Sequence, residues 1–229
     1  MTVKRVALLS IGINLLFILF LAGKRIYYTR HAPAESLSYA DLLNKAKSET
    51  FAGMSIDTSD IVFIGDSQTE RFPADELFGN LHLKNRGIGQ NTSHHLIGRL
   101  PGILSARPKK IFLQIGINDL ANGVSTDSLF KNFVTIIKMV KGKSSGTQLY
   151  IESIFPTSSF GSDFKYMPAI QKENEILKDY CKSEGVGYID IYPALLKDGE
   201  LDKIFTVDGL HLNYEGNLVW KHKICTLVN

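Results

Sequence analysis

The apolar residues of this chain gather in short runs bounded by Asp, Lys, Gly or Pro, and between the runs they recur every three or four positions. Asp60-Ile61-Val62-Phe63-Ile64-Gly65, Ile111-Phe112-Leu113-Gln114-Ile115 and Leu149-Tyr150-Ile151 are the clearest runs. Apolar residues at successive positions, over so few residues, read as strands covered on both faces. With the weaker runs included, strands are predicted at about 60–65, 82–86, 110–115, 148–154 and 187–191. Helical periodicity is predicted at about 92–105, 126–141, 168–184 and 214–227. Strands alternating with helices of this length imply right-handed βαβ crossovers, and so an α/β fold built on a doubly wound parallel sheet.

The first thirty residues break the alternation. Val6 to Gly23 is apolar apart from Ser10 and Asn14, and is flanked by Lys4-Arg5 and Lys24-Arg25. Segment 6–23 is therefore expected to be an N-terminal transmembrane helix, with a cleaved signal peptide as the competing reading, since eighteen residues sits at the short end of a bilayer span. Cleavage after Gly23 would need a small residue where Leu21 stands, which favours an uncleaved anchor. With a short leading tail, the domain that follows is expected on the extracytoplasmic side. The expected division is residues 1–30 as anchor or signal, 31–58 as connector and first helix, and 59–229 as a catalytic domain. Ser36 or Ser38 would cap the first helix, with Tyr39, Leu42, Leu43 and Ala46 on one face.

Composition narrows the choice of partner. The 44% hydrophobic and 21% charged content suits an ordinary globular domain and speaks against disorder. The net charge of +3 comes from the leader: residues 1–34 hold five Lys or Arg and no acid, which leaves 21 basic against 23 acidic residues, about −2, for the rest. A weakly acidic domain offers no electrostatic footprint for nucleic acid.

Three segments carry chemistry. Ser67 ends the first strand in Gly65-Asp66-Ser67, where a parallel sheet presents side chains and free N–H groups at its carboxyl edge. Asn118 follows the third strand in Gly116-Ile117-Asn118-Asp119, on the same edge. Asp208 and His211 stand three apart in Asp208-Gly209-Leu210-His211, before the last helix. A serine hydroxyl needs a base to become a nucleophile at neutral pH, and a histidine oriented by an aspartate supplies one.

Together these segments resemble the SGNH (GDSL-type) hydrolase family over residues 60–217. Phe63-Ile64-Gly65-Asp66-Ser67-Gln68-Thr69-Glu70 resembles the nucleophile block, Asn85-Arg86-Gly87-Ile88-Gly89-Gln90-Asn91-Thr92 the block with an oxyanion donor, and the Gly116 and Asp208 segments the remaining two, all in the family's order. The flavour is that of platelet-activating-factor acetylhydrolase-like and carbohydrate-ester acetylesterases. The resemblance implies a flavodoxin-like three-layer α/β/α sandwich with a five-stranded parallel sheet, and a serine esterase acting on small acyl, especially acetyl, esters. It implies Ser67, His211 and Asp208 as the triad, with the Ser67 N–H, a backbone N–H in the second block and the Asn118 amide as oxyanion donors. Gln90 stands where the family usually has its oxyanion glycine, so either Gln90 or, with a shift of one residue, Gly89 would supply that N–H. A small-molecule ester substrate is expected, with no cofactor or metal; the oligomeric state stays open. A lysophospholipase or thioesterase on the same scaffold, or a silent binding domain, remains an alternative.

Other features have plainer readings. His94 and His95 are adjacent on a predicted helix and diverge by about 100°, so they are expected to be exposed and not joint metal ligands. His31, His82 and His222 have no ligand pattern nearby. Lys138, Lys141 and Lys143 are expected to cap their helix. Cys181 and Cys225 are expected on helices, either paired or as separate buried thiols. The Asn91-Thr92-Ser93 sequon lies inside the second block and is discounted. The long connection 155–166, with Phe155, Phe160, Phe164 and Tyr166, either walls the pocket or anchors on the core.

Overall fold

A computed structural model describes residues 14–25, 27 and 38–228 of the protein. The chain divides into residues 1–43 and residues 44–229. In the first part, residues 14–25 are helical with exposed side chains. Twelve helical residues reach about 18 Å, short of a bilayer core of about 30 Å. Among the described residues no helix is long and apolar enough to cross a membrane. The transmembrane helix expected over 6–23 is thus not seen in the described part, and its residues 6–13 lie outside the described residues.

The first labelled helix, α1 (Tyr39–Gly53), starts at Ser38; Ser36 lies outside the described residues. Asp41 N–H donates to Ser38 Oγ at 3.1 Å, and the Asp41 carboxylate accepts from Ser38 N–H in return. This reciprocal pair satisfies two donors at the helix start. The expected apolar face is not the buried one: Leu42 and Leu43 are both exposed, as is Ala46. The second half of α1 instead meets the domain through Lys47, which pairs with Glu70, and Phe51, whose ring lies 5.0 Å from the Arg86 guanidinium.

Residues 44–229 carry five parallel strands, β1 (Ile61–Gly65), β2 (Leu83–Gly87), β3 (Lys110–Gln114), β4 (Gln148–Glu152) and β5 (Gly187–Ile189), in the order β2-β1-β3-β4-β5. This is the doubly wound order in which the chain reverses direction of travel between β1 and β3, opening a crevice at their carboxyl ends. Alternate β1 side chains feed the two cores. Val62 and Ile64 face α4 (Ser93–Ser105), α6 (Thr126–Lys143) and α7 (Met167–Glu184), whereas Ile61 and Phe63 pack with Phe72, Phe112 and Trp220 of the opposite layer. On that second face Phe63, Phe112 and Tyr150, in register across three strands, stack with centroids 4.9 Å apart at each step. The observed α/β/α sandwich is the one implied by the resemblance, and the strand and helix boundaries agree to within a few residues.

Short elements escape a periodicity argument because they complete barely one turn. These are α2 (Ser67–Arg71), α3 (Ala74–Phe78), α5 (Ile117–Ala121) and a hairpin of β6 (Leu196–Lys197) with β7 (Glu200–Leu201). The last helix, α8, spans Tyr214–Ile224.

Candidate active site

β1 and β3 end at the crevice, and each hands over to a five-residue helix. Asp66 caps α2, its carboxylate accepting from Gln68 N–H at 2.9 Å, and this turns Ser67 out at the first helical position. After β3 the turn into α5 runs through Gly116 at φ 134°, where a Cβ would lie 2.5 Å from Ile154 Cδ1. Only glycine suits both that conformation and that space. Asn118 follows, half-buried, on the neighbouring helix start.

Ser67 Oγ lies 2.9 Å from His211 Nε2, and His211 Nδ1 lies 2.7 Å from Asp208 Oδ2. Burial alone would raise the Asp208 pKa, but hydrogen bonds from the His211 ring and from the His211 and Leu210 backbone N–H groups outweigh it and hold the carboxyl down at about 2. Asp208 is therefore an ionised acceptor at neutral pH. That assigns the ring proton to Nδ1 and leaves the Nε2 lone pair facing the Ser67 hydroxyl. The three residues predicted from sequence as a triad are brought together in hydrogen-bonding order.

The predicted oxyanion residues lie around the same crevice. Ile88-Gly89-Gln90-Asn91 forms a turn closed by Asn91 N–H donating to Ile88 O at 3.2 Å, with Gln90 at φ 60°. A turn with positive φ at its third position favours glycine there, and a glutamine has been accepted instead. Gly89 keeps an ordinary φ, but a Cβ there would sit 2.7 Å from Glu70 Oε2. Asn118 donates one amide N–H to Asn91 O at 3.0 Å, and an amide NH2 has a second.

Four supporting residues were not singled out by sequence reasoning. Gln68 donates to Leu210 O at 2.7 Å and accepts from Leu212 N–H at 3.4 Å, so it ties the histidine loop to the serine helix. Arg99 on α4 donates to Asn91 Oδ1 at 3.0 Å, Arg86 O at 2.7 Å and Gly65 O at 2.9 Å, joining the ends of β1 and β2 to the Ile88–Asn91 turn. Asp119 accepts from Ser93 N–H at 2.9 Å and Ser93 Oγ at 2.5 Å. Asp66 is wholly buried, and its pKa is pushed up to about 7 by that burial, against the Gln68 N–H bond that lowers it. The signal for Gln68 was its place beside Ser67; for Arg99 it was a cation between Leu96 and Leu100 on an apolar helix face.

His94 and His95 are exposed, and the His95 ring caps α4 by accepting from Thr92 N–H at 3.1 Å. Lys141 and Lys143 stand in the last turn of α6, where their charge suits the helix dipole as expected, and the Lys141 ammonium also donates to the Glu184 carbonyl at 2.8 Å and carboxylate at 2.7 Å, because the carboxyl end of α7 lies within its reach. Cys181 and Cys225 are both free; Cys181 is buried, whereas Cys225 follows α8 and is partly exposed. Asn91 is buried and committed to Arg99, which suits neither a sugar acceptor nor the sequon. The 155–166 connection anchors on the core through Phe155, buried edge-on against Trp220, while Gly161 packs on Asp208 and Gly209, and Phe160 is exposed. His31 lies outside the described residues. His82, for which no ligand partner was expected, gathers with Asp57 and Asp60 so that their candidate ligand atoms lie within 4.8 Å. Those groups converge because β2 sets His82 beside the start of β1, at the opposite end of the strand from Ser67. Lys84 Nζ already brings a cation to 3.7 Å from Asp60.

Comparison with known proteins identifies the family. Residues 63–219 match the GDSL-like lipase/acylhydrolase family. N-acylneuraminate cytidylyltransferase from Streptococcus agalactiae serotype III (strain NEM316) is 30% identical over 159 residues, 68% of this chain but 35% of that protein. The chain thus spans about a third of the length of the curated relatives it first matches. Platelet-activating factor acetylhydrolase IB subunit alpha2 from Rattus norvegicus is 26% identical over 165 residues, 69% of this chain and 70% of that one. A solved Streptococcus pneumonia protein, provisionally named a platelet activating factor, superposes with a TM-score of 0.75 at 25% identity, covering 96% of this chain and 99% of that one. With a family match that spans residues 63–219, most of the domain, the chain belongs to the GDSL-like lipase/acylhydrolase family.

Proposed function

We propose that the protein is a serine esterase that removes small acyl groups, acetyl above all, from a carbohydrate or similar alcohol through an acyl-enzyme on Ser67. The observation that carries this reading is the unbroken hydrogen-bond line Ser67 Oγ, His211, Asp208 beside Asn118. His211 Nε2 takes the Ser67 proton as Oγ attacks the ester carbonyl; the resulting oxyanion is met by the Ser67 N–H, the Gln90 N–H and the second N–H of Asn118. The imidazolium, stabilised by ionised Asp208, then gives its proton to the departing alkoxide. Water, deprotonated by His211, cleaves the acyl-enzyme and releases the carboxylic acid and free Ser67. The Gln90 N–H is preferred to that of Gly89 because Gln90 already holds the positive φ a glycine would adopt there. An acetyl group is favoured by the similarity to an acetylhydrolase, and a sugar by the match to a protein named for an N-acylneuraminate.

Turnover of p-nitrophenyl esters of increasing chain length, and of acetylated sugars, tests this. The wild type should favour the acetyl ester, and Ser67→Ala should lose turnover while unfolding at the wild-type temperature. Near-wild-type turnover by Ser67→Ala would refute the nucleophile assignment, and a rising preference for long chains would move the substrate toward lysophospholipids. We also propose that residues 6–23 hold the protein at a membrane with the domain on the extracytoplasmic side, supported by an apolar run flanked by basic pairs. The full-length chain should then sediment with membranes and resist high-salt extraction, whereas a shorter soluble mature form would favour a cleaved signal.

A further inference from the structure

On the β2 side of the domain, α1 and α4 border a cavity of about 610 Å³ that is open to solvent on one side. Its walls are apolar where they come from Phe51, Met54, Ile56 and Ile103, and cationic where they come from Arg86 and Arg99. Arg86 is only 5% exposed, yet it is poorly matched. Nη1 donates to the adjacent Asn85 O at 3.1 Å, Nη2 reaches Ser55 O only at 3.4 Å, and Nε has no hydrogen-bond partner among the described residues. The Asp60 carboxylate is near enough to be felt, but it already faces His82 at 3.4 Å and Lys84 at 3.7 Å. A guanidinium has five N–H donors; the Phe51 ring 5.0 Å away and the Asp60 charge offset part of the cost of burying this one, but not all of its donors are met. An anion entering the cavity would relieve it.

The shape of the cavity says what else the ligand carries. Gly98 and Gly102 line it one helical turn apart on α4, and a Cβ at either would meet nothing within 4 Å. A ridge of side chains is missing there, which leaves room for an apolar body against Phe51 and Ile103. We infer that this cavity is a binding site for an amphipathic anion, whose carboxylate or phosphate head pairs with Arg86 and whose apolar tail lies over Gly98 and Gly102. The leading segment of the chain is a poor occupant, since residues 1–34 contain five basic residues and no acid. The inference does not depend on the esterase reading.

The test uses the full-length protein in phosphatidylcholine nanodiscs and isothermal titration with octanoate, octyl phosphate, octylamine and octanol. Octanoate or octyl phosphate should bind saturably, and octylamine and octanol at least tenfold more weakly. Arg86→Gln and, independently, Gly102→Leu should each weaken anion binding at least tenfold. Gly102→Leu fills open space with a better helix former, so far-UV circular dichroism and the unfolding temperature should stay native. If Arg86→Gln does not fold, Gly102→Leu decides. Saturable binding by neither anion, equal binding of the amine or alcohol, or unchanged binding in folded Gly102→Leu would overturn the inference.

Discussion

Gln90 is a residue in a glycine's conformation, and replacing it with glycine is the most informative perturbation of the oxyanion turn. At φ 60° an L-residue brings Cβ close to its own carbonyl oxygen, at a cost of roughly 1–2 kcal/mol. Glycine avoids that contact but has more conformational freedom to lose on folding, roughly 0.5–1 kcal/mol. The Gln90 side chain is exposed, so its removal takes away little packing. The difference leaves Gln90→Gly more stable by about 0.5–1 kcal/mol, which for a domain of this size raises the unfolding temperature by about 1–4 °C. Gln90→Ala is the control, since it deletes the same side chain and keeps the Cβ; it should unfold close to the wild type, below Gln90→Gly. If Gln90 contributes to catalysis only through its N–H, both variants should keep kcat within a few-fold on p-nitrophenyl acetate. A Gln90→Gly protein that unfolds below Gln90→Ala would refute the strain argument. A loss of kcat above tenfold in both variants would show that the Gln90 side chain takes part in the reaction.

Three further outcomes follow from other parts of the molecule. On the proposed mechanism, in which the second Asn118 N–H meets charge that exists only in the transition state, Asn118→Ala should lower kcat by roughly 10²–10³ with little change in KM; a change confined to KM in steady-state kinetics would contradict this. Arg99→Met should cost about 2–4 kcal/mol in denaturant unfolding and lower kcat as well, because it strips donors from Gly65 O, Arg86 O and Asn91 Oδ1 at once; full retention of both would remove Arg99 from the support of the turn. Burial pushes the Glu152 carboxyl up to about 8 from 4.5, so the folded state keeps a proton that the unfolded state releases between those values, and stability falls by about 1.4 kcal/mol per pH unit as pH rises through that window. Glu152→Gln keeps an acceptor for Trp220 Nε1 at 2.8 Å without that ionisation, so it should gain on the wild type between pH 5 and 8 in urea titrations, and parallel pH profiles would sink the assignment.

Much of the fold was legible because it depends on burial that repeats along the chain. β1 and β3 are buried at every position, and an apolar run of that length has few other places to go. Ser67 and Asn118 were legible for a different reason: a parallel sheet puts the residues that follow its strands on one edge, so motifs at strand ends converge without any contact being predicted, whereas Asp208 and His211 follow no strand of that sheet and were legible only as a motif. What was not legible depends on contacts between distant side chains. Lys47 and Phe51 of the first helix meet Glu70 and Arg86, partners that a helical wheel cannot see, while Leu42 and Leu43 stay exposed. Arg99 and Gln68 are likewise single polar residues in ordinary surroundings until the structure supplies the carbonyls they hold.

The two halves of the site are fixed by different means. Ser67 and Asn118 inherit their spacing from the ladder between β1 and β3, where Gly65 is paired with Gln114. His211 has no strand beneath it, and lies 144 positions from Ser67 in the chain. Its loop is closed locally by Asn213 N–H donating to Phe205 O at 2.8 Å, and docked by Ser158 N–H donating to Gly209 O at 2.8 Å. Those bonds shape the loop but do not aim it at the serine. That is left to Gln68, the neighbour of Ser67 on α2, whose amide holds Leu210 and Leu212 on either side of His211. Gln68 thus couples the histidine loop directly to α2, the helix that carries Ser67, so nucleophile and base are referred to one short element although 144 positions separate them in the chain.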